Sequence, residues 1–294
     1  MENQPPVKSA TTLAYYAKII KQMREGIAPG SEGLNFLLDF PAVKAWIDNG
    51  RSLNSKKTYY AVVKSVIASE TISPEMLKSL EKYNKAFTAI ALEVKKQVET
   101  QKATPREEAA MLPWLEIVKA TDEFVATAID AYDPQMIQDA ALMACYVYQP
   151  PRRLDFSPMK VVARQSKTIT ENYLAVSAKK MTFVFQDYKT AKTYGIQKQI
   201  VPKNLEIILR QWLDLNSSGW LFTTHEGTPM TEANLSAHLI RLFERQTGKK
   251  IGVDILRHSF ISHLREGEMP LRQKQALAKK MGHSVATNEL YRRI

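Results

Sequence analysis

Four short segments carry arginine, lysine, histidine and tyrosine side chains, the residue types that can hold and attack a phosphate group. Residues 150–156 read PPRRLDF, residues 187–192 read DYKTAK, residues 254–260 read DILRHSF, and residues 281–291 begin with MGHS and end in tyrosine. Two arginines suit the holding role, because each presents a planar fork of donors to tetrahedral oxygens and keeps its charge. The first two segments alone are weak signals, since a twin arginine beside prolines is typical of a solvated loop and a lysine-rich hairpin of a charged turn.

In this order, spread over about 140 residues, the four segments resemble the motifs of the tyrosine recombinase, or phage integrase, family. The resemblance implies a set of catalytic residues around one scissile phosphate: the arginines Arg152 and Arg257, the proton donor Lys189, the phosphate donor His283 and the nucleophile Tyr291. Asp155 and His258 are implied as supporting residues. Arg153 is the alternative to Arg152, and Lys192 is the reserve for Lys189.

The chain departs from the family pattern at two places. Asp254 stands where the family has a histidine. A carboxylate that faces a phosphate is repulsive unless it is protonated or turned to orient Arg257, and we include Asp254 among the candidate catalytic residues in the orienting role. The spacing of eight residues between His283 and Tyr291 is one residue shorter than usual, a change that can reposition the tyrosine without removing it.

The implied mechanism agrees with elementary chemistry. A phenol with a pKa near ~10 is a poor nucleophile at neutral pH and needs a cationic field or a base to react as phenolate. The two arginines, the lysine and the histidine supply such a field, so we expect no metal and no other cofactor. The sequence shows no dense carboxylate cluster, no zinc spacing among its five histidines and no phosphate-cradling glycine loop.

The composition is that of a folded protein, and its positive charge fits a polyanionic partner, although basic surfaces also bind membranes or have no particular partner. Hydrophobic residues make up 45% and charged residues 24% of the 294 residues, and the formal net charge is +11. The net charge is +5 over residues 1–104, −6 over residues 105–149 and +12 over residues 150–294. We expect the acidic block to turn away from DNA. The single cysteine, Cys145, lies in an apolar run that favours buried packing, and no apolar run is long enough to span a membrane.

Hydrophobic periodicity predicts a mainly α-helical chain with one small antiparallel β-sheet. The sheet is predicted from residues 173–176, 182–185 and 199–201, and the helices from the segments 13–20, 59–67, 76–98, 111–129, 134–148, 205–213, 232–243, 255–264 and 271–280, with another around Leu290. Asn54 or Ser55 is the expected N-cap of the second helix and Ser73 that of the third. The polar segment 99–108 is the predicted linker, with the domain boundary between residues 104 and 105.

The resemblance extends upstream, where residues 52–59 (SLNSKKTY) are similar to the start of the family's core-binding domain. It implies a helical core-binding domain at 1–104 and a catalytic domain at 105–294, which form a C-shaped clamp around double-stranded DNA. The form of residues 150–156 is similar to that of integrases of large DNA viruses and their mobile elements. We therefore expect an intracellular protein, in the cytoplasm or nucleus of a host or associated with a virion.

Only three residues follow Tyr291, whereas relatives carry a segment there that docks on a neighbouring subunit. We expect the free protein to be a monomer that assembles into a tetramer on synapsed DNA. Two alternatives remain open. One is a DNA-binding protein whose catalytic activity has decayed, for which Asp254 is the best support, and the other is a type IB topoisomerase or telomere resolvase that uses the same residues.

Overall fold

The computed structural model describes residues 10–69, 74–264 and 269–293. The chain divides into two compact units, Met1–Thr100 and Gln101–Ile294, a division that falls inside the predicted linker segment. None of the described helices is both long and apolar enough to cross a bilayer.

Unit 1 is helical. It contains α1 (Ala10–Ile27), a short 3-10 helix (Asn35–Leu38), α2 (Phe40–Asp48), α3 (Leu53–Ile67) and α4 (Pro74–Glu99). Its core is built from one face of each helix, and Tyr83 of α4 reaches into it to donate a hydrogen bond to the carbonyl of Leu37 at 2.8 Å. The N-cap of α3 is Ser52 rather than Asn54 or Ser55, because the helix begins at Leu53, more than a turn before its apolar periodicity is evident. Ser73 lies outside the described residues.

Unit 2 holds the remaining helices: α5 (Pro105–Ala110), α6 (Trp114–Ala131), α7 (Pro134–Val147), α8 (Ala191–Tyr194), α9 (Lys203–Leu215), α10 (Glu232–Thr247), α11 (Val253–Leu264), α12 (Leu271–Lys280) and α13 (Val285–Glu289). The central element is α7, whose residues are all buried from Ile137 to Val147. Cys145 lies in that stretch, unpaired, and burial raises the pKa of its thiol. The predicted packing role of this cysteine is confirmed.

The small sheet of unit 2 has the order β1 (Lys160–Val162), β2 (Tyr173–Val176), β3 (Met181–Phe185) and β4 (Gln197–Ile200). The three predicted strands pair antiparallel, but β1 was not predicted and pairs parallel with β2. The sheet is therefore mixed rather than wholly antiparallel. A three-residue strand of half-buried side chains gives no period-2 signal of its own. The predicted class, mainly α with a small sheet, is confirmed.

Candidate active site

Arg152 is completely buried just beyond the end of α7, which the following proline pair prevents from continuing. Its Nε donates to Asp155 Oδ2 at 2.7 Å, and its Nη1 donates to Gln197 Oε1 at 2.9 Å and to the carbonyl of Lys280 at 2.7 Å. The guanidinium carbon lies 3.9 Å from the centre of the Phe185 ring. Three elements thus fix this arginine, while its buried Nη2 has no hydrogen-bond partner among the described residues.

Arg257 lies on α11 and is also 0% exposed, but its surroundings are different. Its Nε, Nη1 and Nη2 are all buried, and none has a hydrogen-bond partner in the part of the chain that the structure describes. Burial lowers the pKa of the guanidinium to about 10, so the group is still a cation at neutral pH. A buried cation whose donors have no acceptor is unfavourable by several kcal/mol. An anion that reached these buried donors would supply the acceptors that they lack.

Tyr291 follows α13 and is half-buried against Arg257, whose guanidinium carbon lies 4.4 Å from the ring centre. The ring also lies 5.4 Å from that of His283, nearly parallel at 27°, and 5.0 Å from that of His258. His258 Nδ1 donates to the carbonyl oxygen of Tyr291 at 2.7 Å. Four of the residues predicted from the motifs are thus brought together, and His258 acts on the backbone of the tyrosine.

One ring nitrogen of His283 is hydrogen-bonded, and the other has no hydrogen-bond partner among the described residues. Its Nδ1 lies 3.2 Å from the carbonyl of Ser284, and because a carbonyl only accepts, Nδ1 carries the proton. Nε2 is buried without a hydrogen-bond partner among the described residues. Burial, and then the positive charge of Arg257, lowers the pKa of His283 to about 4. The ring is therefore neutral at physiological pH, with a lone pair on Nε2.

The β3–β4 hairpin packs against the same place. Thr190 Oγ1 donates to the carbonyl of Gly282 at 2.6 Å. Gly282 has φ +73°, and a Cβ atom there would lie 3.2 Å from Arg152 Nη2, so both the backbone and the nearby arginine favour glycine. Lys189 and Lys192 are exposed beside this contact. The hairpin is positioned, while both lysine side chains remain in solvent.

Asp254 is exposed on the first turn of α11. It lines a cavity of about 320 Å³ together with Tyr291 and His258. No nitrogen of Arg257 is hydrogen-bonded to it, but its charge raises the pKa of Arg257 against the larger effect of burial. Asp254 thus acts on the arginine through its field rather than through a direct contact.

Arg153 is half-buried, and its charge contributes to lowering the pKa of His283, after the larger effects of burial and Arg257. The bond with Asp155 is made by Arg152, as the spacing predicts.

Two further residues of this region belong to none of the sequence motifs. Glu107 and Arg293 form an ion pair of 2.8 Å next to His258, and only the capping-box pattern of Thr104 and Glu107 is visible in the sequence. No group of three His, Cys, Asp or Glu side chains in the described ranges is arranged to hold a metal ion.

Fold and site together define a mainly helical protein with two buried arginines whose donors are partly or wholly without acceptors among the described residues, one of them in contact with Tyr291. No family model matches the chain. A curated tyrosine recombinase XerC of Pseudomonas fluorescens (strain Pf-5) is 31% identical over 105 residues, which cover 33% of this chain and 34% of the relative. A second XerC, of Azotobacter vinelandii, is 34% identical over 89 residues, covering 28% and 29%. Over these segments the chain is similar to curated tyrosine recombinases, and it spans only about a third of the length of the curated relatives it matches.

Solved structures align along nearly the whole chain at low identity. XerH recombinase bound to a palindromic difH substrate, in a post-cleavage complex, aligns with a TM-score of 0.49 at 16% identity, over 96% of this chain and 76% of that one. Protelomerase tela covalently complexed with substrate DNA aligns with a TM-score of 0.47 at 16% identity, over 99% and 90%.

Proposed function

We propose that this chain is a site-specific DNA recombinase that cleaves and rejoins strands through a 3′-phosphotyrosine at Tyr291. The observation that carries the proposal is the set of buried donors without acceptors: those of Arg257, which contacts the ring of Tyr291, and Nη2 of Arg152, which lies beside Gly282. Such donors match the non-bridging oxygens of a phosphodiester, and preorganised donors favour the extra charge that develops at phosphorus during attack. The curated relatives are themselves named tyrosine recombinases.

The first chemical step transfers the phosphoryl group to the enzyme. The hydroxyl oxygen of Tyr291 attacks phosphorus, and its proton moves to Nε2 of His283, which is the lone-pair nitrogen of a neutral ring. The imidazolium then donates to a phosphate oxygen, which is the donor role that the family resemblance implies. The imidazolium of His283 is stabilised by the negative charge that develops on the phosphate oxygens during the attack.

The leaving group is the 5′ oxygen of the other DNA fragment. The bond between phosphorus and this oxygen breaks, and Lys189 supplies the proton that it needs, with Lys192 as the reserve on the same hairpin. Lys189 is exposed in the free protein, so it must turn toward the DNA when the duplex is bound. The phosphotyrosine keeps the energy of the phosphodiester, and attack by a 5′ hydroxyl reverses the step without ATP.

Double-stranded DNA is the proposed partner, and both basic parts of the chain are proposed to bind it. Residues 150–294 carry a net charge of +12 and residues 1–104 a net charge of +5, which suits contacts to phosphates. We propose that unit 1 is the core-binding domain and unit 2 the catalytic domain. We also propose that the free protein is a monomer and becomes a tetramer on synapsed DNA. It would act inside a cell, as a protein of a virus or mobile element.

Covalent trapping tests the function directly. The full chain is incubated in EDTA with duplexes of randomised sequence that are nicked at varied positions, so that a short 5′ fragment diffuses away after cleavage. An adduct should survive denaturing electrophoresis, map to Tyr291 by peptide analysis, and reveal the target when its DNA is sequenced. Tyr291→Phe should bind DNA normally and form no adduct, whereas Tyr132→Phe, at an exposed tyrosine of the same unit, should behave as wild type. An adduct in Tyr291→Phe would refute the assignment.

A further inference from the structure

Arg293 joins α5 and α11 to the segment that carries the tyrosine. Its Nη2 donates to Glu107 Oε1 at 2.8 Å and to His258 Nε2 at 2.8 Å. Its backbone N–H donates to Ser262 Oγ at 2.9 Å. His258 carries its proton on Nδ1, which donates to the Tyr291 carbonyl, so Nε2 is the acceptor that Arg293 needs. The contacts form one consistent chain of donors and acceptors.

Glu107 is fixed at the other end of this chain. Its Oε2 accepts from the backbone N–H of Thr104 at 2.7 Å, as part of the capping box of α5. Burial alone would raise the pKa of the carboxyl group, but the hydrogen bonds from Arg293 and the Thr104 backbone outweigh it and lower the pKa to about 2. Glu107 is therefore an anion at neutral pH. Upstream, Gln101 Nε2 donates to the carbonyl of Glu289 at 2.8 Å, so residues 101–107 contact the chain on both sides of the tyrosine, at Glu289 and at Arg293.

We propose that Glu107 is a positioning residue for Tyr291, acting through Arg293 and His258. The inference rests on the proposed function. Glu107 touches no reacting atom. It holds Arg293, which holds the ring of His258, which holds the backbone of Tyr291. The tyrosine ring can then stay between Arg257 and His283 while phosphate binds.

A competing explanation is that Glu107 only caps α5. The two roles separate under a conservative substitution, because glutamine at this position also completes a capping box but cannot form the ion pair with Arg293. Glu107→Gln therefore keeps the helix cap and weakens the hold on Arg293. Glu108→Gln is the matched control, since Glu108 is the exposed neighbour on the same helix.

The experiment measures single-turnover adduct formation by the full chain at saturating nicked duplex, with the dissociation constant for DNA determined separately. A displacement of about 1 Å at a reacting group lowers rates by up to about 10²-fold. We expect Glu107→Gln to be slower by roughly 10- to 100-fold, with a dissociation constant within about twofold of wild type. Arg293→Gln should show a similar loss, and the double variant should be no slower than either single one, because the two residues act as a unit.

The outcomes distinguish the inference from the function on which it rests. If wild type forms no adduct at Tyr291, the proposed function fails. If wild type forms the adduct and Glu107→Gln matches it, or if the losses of the two single variants multiply in the double variant, the positioning role is wrong. The positioning role is also wrong if the rate loss equals the loss of folded protein measured by thermal denaturation. The same holds if Glu108→Gln shows the same rate loss. If Glu107→Gln does not fold, Arg293→Lys is the second test of the positioning role. Lysine keeps the charge but has one donor group instead of a fork, so we expect a rate of adduct formation between those of wild type and Arg293→Gln.

Discussion

Replacing Arg257 by methionine should make the free protein more stable while it abolishes cleavage. Arg257 is completely buried, and none of its three guanidinium nitrogens has a hydrogen-bond partner among the described residues. Methionine has a similar length, has no buried charge and can fill the same space. Buried charges in proteins are often replaced by apolar side chains with a gain in stability.

The expected gain follows from the pKa of the guanidinium. Burial lowers it from 12.5 to about 10, and at about 1.4 kcal/mol per pKa unit the charged form is disfavoured in the folded state by about 3 kcal/mol. The contact of the guanidinium with the Tyr291 ring at 4.4 Å offsets part of this, since a desolvated cation–π pair contributes about 2 kcal/mol. A net gain of about 1 to 2 kcal/mol is expected, or a few degrees in the melting temperature of a unit of this size.

The assay is urea unfolding in a buffer without phosphate or sulfate, followed by tryptophan fluorescence. In a Trp46→Phe background the remaining tryptophans, Trp114, Trp212 and Trp220, all lie in unit 2. The signal then reports the unit that contains Arg257. Arg272→Met, at an exposed arginine of the same unit, is the control and should leave the midpoint unchanged.

Sulfate, used as a mimic of a DNA phosphate, supplies the second arm of the test. It should stabilise the wild type by mass action and stabilise Arg257→Met much less, because one of the binding arginines is gone. A variant that is destabilised by more than 1 kcal/mol in the buffer without anions, or that gains as much from sulfate as wild type, would refute the argument. The first result would mean that the folded protein itself satisfies the guanidinium, and the second that sulfate binds without Arg257.

Three other predictions concern single side chains. Lys189→Ala should slow cleavage by about 10²- to 10⁴-fold. A substrate with sulfur at the bridging 5′ position should restore the rate, because a thiolate leaving group needs no proton. If this substrate rescues Lys192→Ala instead, Lys192 is the proton donor and Lys189 is not. Asp254→Asn should slow adduct formation and Asp254→His should be tolerated, and a faster Asp254→Asn would make the carboxylate a penalty. The pKa of His283 is lowered from 6.5 to about 4 in the folded protein. Between pH 4 and 6.5 the folded state therefore binds fewer protons than the unfolded state. The free energy of unfolding should fall by up to about 3 kcal/mol as the pH is lowered through that range. Equal pH slopes for wild type and His283→Gln in urea titrations would contradict this.

Local patterns predicted much of the fold because they report which face of a segment is buried. The limits of β2 and α12 agree with their predicted spans, Tyr173–Val176 and Leu271–Lys280. Elements without such a pattern were missed. The helix α2, Phe40–Asp48, is short and begins with Phe-Pro, and its cap Asp39 looks like an ordinary turn residue. Short elements depend on the packing around them more than on their own periodicity.

The candidate site divides in the same way. The order of the motifs was enough to bring Arg257, His283 and Tyr291 into one prediction, and the structure places them in contact. Glu107 and Arg293 are separated by 186 residues, and no local spacing connects residues so far apart. Gln197, which accepts from Arg152 across 45 residues, was missed for the same reason. Such partners become visible only when the fold brings their elements together.

The two buried arginines of the candidate site differ in their surroundings, because one has several hydrogen-bond acceptors and the other has none among the described residues. Arg152 has acceptors on Asp155, Gln197 and Lys280 and therefore keeps its position whether or not a ligand is present. Arg257 has none among the described residues, so under the proposed function a bound phosphate would supply the acceptors that its donors lack. A site in which both arginines were fully paired would hold its shape but would gain little by binding an anion. A site in which neither was paired would leave two uncompensated buried cations, which a folded domain with only about 5 to 15 kcal/mol of stability could hardly tolerate. Under the proposed function, the difference between Arg152 and Arg257 allows one arginine to define the geometry and the other to bind the phosphate beside Tyr291.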